Sequence, residues 1–318
     1  MESFGFYWNH FVELETQNLR SLLEILGSLG GHGGQSLRTW LFQQIPLGIT
    51  LSILIAGEFV IPWRRHQRKW RPGLGLDMFY TLVHTALFFL LFGEAFVTTV
   101  VLACMDAIEL VTGTANNAAI YLNKVPMWAR VLAMLAYAEF QSYIGHWLLH
   151  NVGFLWEFHK VHHCSPVLDV WNAQRFHAGE KVFWSLFSAF PPILIGFPPR
   201  EVVSVTILTV LLSYYTHSNI RIPLGPLKYV FNNPQLHIWH HAATIDPKRN
   251  VNYGDATCVF DYLFGTAYLP EERTNLKLGF SDVDDYPTTF LGQFVTPFRA
   301  IGAGIKDRIA SRPRVLSR

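Results

Sequence analysis

Apolar residues in this chain gather into long runs rather than alternating with polar ones. Pro46 to Pro62 is apolar apart from Glu58, and Met78 to Cys104 is longer and holds His84 and Glu94. Trp128 to Leu149 follows, with Arg130 near one end and Glu139 inside. Each run approaches the ~20 residues a helix needs to cross ~30 Å of hydrocarbon. Val182 to Tyr215 is different. Two shorter apolar stretches flank Phe197-Pro198-Pro199-Arg200-Glu201, and Pro191-Pro192 interrupts the first, a pattern that predicts a tight helical hairpin. Phe11 to Leu26 has the amphipathic spacing of a helix lying on a membrane surface, and Gly27 to Gly34 reads as a flexible joint. The first 40 residues lack a basic stretch followed by an apolar core, so no cleaved signal peptide is expected.

These elements predict an all-α fold: an integral-membrane helical bundle of about four to five spans, hairpin included, with a cytoplasmic histidine-rich metal-binding cap. Three parts are expected: an N-terminal amphipathic and linker segment over 1–45, a membrane domain over 46–270, and a cytoplasmic basic tail over 271–318. Composition agrees with a membrane protein, since 50% of the 318 residues are hydrophobic and only 15% charged. A net charge of +2 gives no reason to expect a nucleic-acid partner. Three scattered cysteines make no disulfide framework. Basic residues orient the spans. Arg64, Arg65, Arg68, Lys69 and Arg71 follow the first run, and Arg299, Lys306, Arg308, Arg312, Arg314 and Arg318 mark the tail. Placing both on the cytoplasmic side gathers every histidine cluster on that face.

The histidines change the picture from a membrane protein to a metalloprotein. There are 14, and most lie between His146 and His241. His146 and His150 form H-x-x-x-H, which puts both on one helix face. His159, His162 and His163 form H-x-x-H-H, and His237, His240 and His241 repeat it. Positions i, i+3 and i+4 span an arc of about 100°, so the three imidazoles of one cluster are expected to converge on one point. One H-x-x-x-H is common by chance; three clusters in a charge-poor chain are not, because unpaired imidazoles beside a bilayer cost free energy. Neutral imidazole suits iron, zinc, copper and nickel. Eight such ligands exceed the needs of one ion, so two metals are expected. Candidates to accept the second ring N–H of a ligand are Glu139, Glu157, Asp169, Glu180, Asn219, Asn252 and Asp261.

The three clusters, together with LWEFHKVHH (155–163), RFHAGE (175–180), HSNIRIPLG (217–225), NYG (252–254) and DYLFGT (261–266), resemble the membrane-bound fatty acid hydroxylase and sterol desaturase superfamily. The resemblance covers about residues 78 to 270, departing at Glu139 and Trp147, where many members carry Asp and Arg. It implies two irons, for which zinc can substitute in a purified sample, and dioxygen as co-substrate. It also implies hydroxylation or desaturation of a membrane lipid such as a sterol or fatty acyl chain, and it adds His177 and His217 to the metal ligands. No ligand set for a nicotinamide, flavin, haem or iron–sulfur carrier is visible outside the clusters. Electrons are therefore expected from an external partner, a ferredoxin or b-type cytochrome with its reductase. Its expected docking face is the 64–71 loop, the 242–255 segment with Lys248 and Arg249, and the tail. The rival reading is a histidine-rich membrane metal-binding or transport protein. That would place ligands along a mid-membrane path, whereas these lie at helix ends and in loops.

Overall fold

A computed structural model of the protein describes residues 9–13, 16–17, 34–88, 94–112, 122, 124–197, 199–243, 251–270 and 276–310. Long apolar runs with few breakers become helices. They are α1 (Gly34–Val60), α2 (Leu74–Met78), α3 (Glu94–Thr112), α4 (Met127–Asn151), α5 (Gly153–His163), α6 (Ala178–Ile195), α7 (Pro199–His217), α8 (Pro234–His240), α9 (Val259–Phe264) and α10 (Phe290–Ala310). Among the described residues there are three isolated β-bridges and no sheet, so the all-α expectation holds. The hairpin predicted over 182–215 is present as α6 and α7, joined by three residues. Of the amphipathic stretch Phe11 to Leu26 only 11–13 and 16–17 are described, as helix; its remainder and most of the glycine joint lie outside the described residues, as do Lys248 and Arg249.

Among the described residues no helix is long and apolar enough to cross a membrane. Of the run 78–104, the described parts are the end of α2, which passes into a π-helical turn at Phe79–His84 and a last turn at Thr85–Phe88, and α3 from Glu94. Helix α4 has 25 residues, or about 37 Å of rise, but it spends several positions on buried polar groups: Glu139, Gln141 and His146. Its other faces carry exposed Leu132 and Phe140.

Helix α4 is the axis of the molecule. It packs on α5, α6, α7 and α9, while α10 lies against α5 and α1 against α7. One apolar cluster joins α1 to α7 through Leu51, Leu54, Val170, Ala173, Tyr214 and Ile220. A second joins Met134 of α4 to Val202 and Val205 of α7. The end of α1 is tied to the site region by polar contacts. Glu58 accepts from the backbone N–H of Val170 (3.0 Å) and of Asn219 (2.7 Å).

The basic loop after α1 is largely consumed by the fold. Arg64 is buried and donates to the Leu168 carbonyl and to Gln67. Arg71 pairs with Asp77 (2.7 Å) and Asp169 (2.9 Å), and Asp77 also pairs with buried Arg175. Lys69 donates to the Glu58 carbonyl and sits over the Phe59 ring. Of the loop's five cations, only Arg65 and Arg68 are exposed.

Candidate metal centre

Helix α4 ends with His146 and His150 one turn apart, and α5 restarts the chain after a single extended residue, Val152. That sharp turn lays His159, His162 and His163 against α4. Helix α7 ends on His217. The short α8, capped by the Asn233 side chain accepting from Leu236 N and begun by Pro234, brings in His237 and His240, with His241 just past its end.

Nine of the ten expected ligands form two groups. His146, His150, His159, His163 and His240 make one; His162, His217, His237 and His241 make the other; within each group the donor atoms lie within 4.8 Å of one another. The groups adjoin, with the His163 and His241 rings stacked at 4.3 Å. The H-x-x-H-H clusters do not each converge on one point. In both, the i and i+4 histidines go to one group and the i+3 histidine to the other: His159 and His163 against His162, His237 and His241 against His240. The i+3 position lies about 60° to one side of i and i+4 about 40° to the other, and that spread lets one helix face serve two neighbouring points.

The donor chemistry fits cations there. His146 Nδ1 lies 2.8 Å from the Tyr253 carbonyl, His240 Nδ1 2.8 Å from that of Val251, and His217 Nδ1 2.8 Å from that of Ser213. A carbonyl only accepts, so each Nδ1 carries the proton and each Nε2 is a bare lone pair. These lone pairs face other imidazole nitrogens: His146 to His159 at 3.2 Å, His240 to His150 at 3.2 Å, and His217 to His162 and His237 at 3.1 Å. Two nitrogens bonded to one ion at ~2.0–2.1 Å stand roughly 3.0–3.4 Å apart, so a cation turns these approaches from repulsive to bonding. Burial, followed by repulsion from neighbouring imidazoles, lowers the pKa of His159, His162, His163, His237 and His241 well below the usual histidine value, which keeps the ring nitrogens free to ligate.

His177 stands apart. Its Nε2 donates to the Phe294 carbonyl (2.9 Å) and its Nδ1 accepts from Gly179 N (2.9 Å), so both ring nitrogens are spent. It is a clamp between the start of α6 and α10, not a ligand in this arrangement.

The candidate supporting residues divide in the same way. Glu180, fully buried, takes the His159 Nδ1–H at 2.8 Å and the Trp184 indole N–H at 3.3 Å. Asp261 accepts from Tyr253 N, Gly254 N and the Thr266 hydroxyl, each at 2.8 Å. Asn252, at φ +56°, bonds the Leu236 and Tyr268 backbones. Together Asp261 and Asn252 hold the N-Y-G turn, so that the carbonyls of Val251 and Tyr253, on either side of Asn252, reach two histidines of one group. Glu139 ties α4 to this turn through Thr257 N at 2.7 Å. Gly254 has no room for a Cβ, which would strike the Thr257 carbonyl and Asp261. The other three serve elsewhere: Glu157 pairs with Lys160, Asp169 caps the turn 170–172, and Asn219 bonds both backbone groups of Arg64. The three carbonyls that orient His146, His217 and His240 escaped sequence reading; the N-Y-G segment was the only signal for two of them.

A cavity of about 490 Å³ opens onto both groups, reaching His146 and His159 of one and His162, His217 and His237 of the other. Its walls come from α4, α6 and α7 and include Met134, Phe176, Trp184 and Val210 beside several hydroxyls.

Residues 131–266 match the fatty acid hydroxylase family. The chain is 32% identical over 191 residues to the ornithine lipid hydroxylase OlsE of Rhizobium tropici, covering 60% of this chain and 56% of that protein. It is 28% identical over 135 residues to an alkylglycerol monooxygenase of Caenorhabditis elegans, covering 42% of this chain and 26% of that protein. With the human alkylglycerol monooxygenase it shares 27% identity over 150 residues, covering 46% and 32%. The chain thus spans little more than half of the first relative and about a third or less of the others. No solved structure matches it. The ordered histidine clusters, the supporting turn and this match support the fatty acid hydroxylase superfamily, whose domain the segment 131–266 resembles.

Proposed function

We propose that this chain is a membrane-embedded, two-iron, O2-dependent oxygenase that hydroxylates a lipid, with electrons from an external carrier. The observation that carries this reading is the meeting of two adjoining all-imidazole groups at one end of a single cavity. His146, His150, His159, His163 and His240 would hold one ion, and His162, His217, His237 and His241 the other. Bound there, an iron pair would supply dioxygen activation for attack on an unactivated C–H bond, chemistry that no side chain provides. Hydroxylation is favoured over desaturation because the relatives are named as a hydroxylase and monooxygenases.

The chain's own residues prepare the site. Glu180 and the carbonyls of Val251, Tyr253 and Ser213 fix which ring nitrogen faces inward, so little reorientation remains when a metal is held. Helices α4, α6 and α7 wall the cavity and would align a chain-like substrate with the imidazole face; its volume lies in the ~300–1,000 Å³ range of small-molecule sites. In this reading the apolar runs lie in the bilayer, with the histidine clusters and C-terminus cytoplasmic, and the exposed Leu132 and Phe140 of α4 face lipid. The carrier, a ferredoxin or b-type cytochrome, docks from that side. Because Arg64, Lys69 and Arg71 are engaged internally, the loop offers it only Arg65 and Arg68.

The test is metal analysis of the full chain purified in lipid, beside His162→Ala and His240→Ala. About two ions per chain are expected, with reduced metal in each variant and loss of carrier-dependent lipid oxidation. Full metal content in both variants refutes the ligand assignment. Sustained oxidation with NADH and no carrier refutes the external donor. Comparing the lipids of cells with and without the protein identifies the substrate.

A further inference from the structure

Beyond the two imidazole groups the cavity is lined mostly by apolar surface, but that surface carries several hydroxyls. Helix α6 presents Ser185 and Ser188, and α7 presents Thr206, Thr209 and Ser213. Two of these hydroxyls are already spent as donors. Thr206 donates to the Val202 carbonyl and Thr209 to that of Thr206, both at 2.9 Å within their own helix. What they leave toward the cavity is oxygen lone pairs.

From helix α4, Gln141 joins the same lining. It is only 7% exposed, it lines the cavity, and its amide nitrogen has no hydrogen-bond partner among the described residues. A buried amide N–H without a partner costs roughly 1–3 kcal/mol relative to one that is satisfied. A side chain held so is a standing site for an acceptor. Gln141 also lies five residues before His146 on the same helix, about 7.5 Å along the axis, so a group bound there sits a few carbon–carbon bonds from the imidazole face.

We infer that Gln141 is the residue by which this cavity recognises a polar group on its lipid: the amide N–H donates to an ester, amide or hydroxyl oxygen of the substrate, which is therefore an oxygen-bearing lipid and not a plain hydrocarbon. The inference rests on the lipid-oxidising reading for the identity of the ligand, but it is tested by binding alone. Gln141 is a specificity determinant; it holds the substrate in register and takes no part in the bond changes.

Trp184 lines the same cavity and reports on its contents. The full chain in lipid nanodiscs is titrated with two brominated probes that quench tryptophan: 9,10-dibromo-octadecanamide and 9,10-dibromo-octadecane. A Trp184→Phe chain gives the background to subtract. The wild type is expected to bind the amide about three- to tenfold more tightly than the alkane, the range of one hydrogen bond. Gln141→Leu should remove that preference and leave alkane affinity unchanged; Gln141→Met, unbranched like glutamine, serves if Leu unfolds the chain. A preference that survives in either folded variant, or a wild type without one, overturns the assignment. No turnover is read here, so failure of the separate carrier-dependent lipid oxidation assay would sink the oxygenase reading and leave Gln141 standing.

Discussion

Glu180 gives the sharpest test of the metal centre, because it touches one ligand of one group only. Its carboxylate is fully buried and takes the His159 Nδ1–H at 2.8 Å. Gln in its place keeps the volume but removes the negative end of that bond and buries an extra amide donor. Hydrogen bonds to charged groups are worth about 1.5–3 kcal/mol, and loss of such a partner costs about 10–100-fold in metal affinity, or roughly 1.4–2.7 kcal/mol. The two estimates agree. The assay is metal per chain after dialysis against a graded chelator series. Wild type should hold about two ions until high chelator; Glu180→Gln should release one of them at about 10–100-fold lower chelator. The other should be kept, since His162, His217, His237 and His241 have their own partners or none. An unchanged chelator series would refute the support role. Loss of both ions together would refute the assignment of Glu180 to a single group.

Three further outcomes follow from the geometry. His177→Ala should keep its metal while losing about 1–3 kcal/mol of stability in denaturant unfolding, because the bonds to the Phe294 carbonyl and from Gly179 N are lost and no ligand is; loss of metal would restore His177 as a ligand. Gly254→Ala should drop metal toward one ion per chain, because the displaced N-Y-G turn no longer aims the Tyr253 and Val251 carbonyls; two tightly held ions would show that the turn is not needed. The metal-free chain should lose stability as pH falls. Burial holds His217 to about 4, against ~6.5 unfolded, so below ~6.5 the unfolded chain binds more protons. Each such histidine then removes up to about 1.4 kcal/mol per pH unit between ~6.5 and 4. Its contribution is fully present above ~6.5, and denaturation midpoints that rise toward pH 5 would contradict the sign.

The chemistry of this protein was legible in the sequence because it is written in residue type and local spacing. Imidazoles at i, i+3 and i+4 must share a helix face whatever that helix packs against, and the breaker cluster 197–201 must turn two helices back on each other. Which imidazole joins which group was decided by tertiary structure. His162 and His163 are neighbours in the chain, yet they join different groups because α4 brings His146 and His150 to one and the end of α7 brings His217 to the other, with the α8 segment contributing to both. His177 resembles a ligand in its motif, but the packing of α10 brings the Phe294 carbonyl to it first. The carbonyls that orient His146, His217 and His240 could not be read, since every residue carries one and only the fold aims it. Arg64 and Arg71 look like surface charge in the sequence; what buries them is the distant pairing with Leu168, Asp77 and Asp169. Local spacing fixes what a helix face can offer, and only the placement of other helices fixes what it meets.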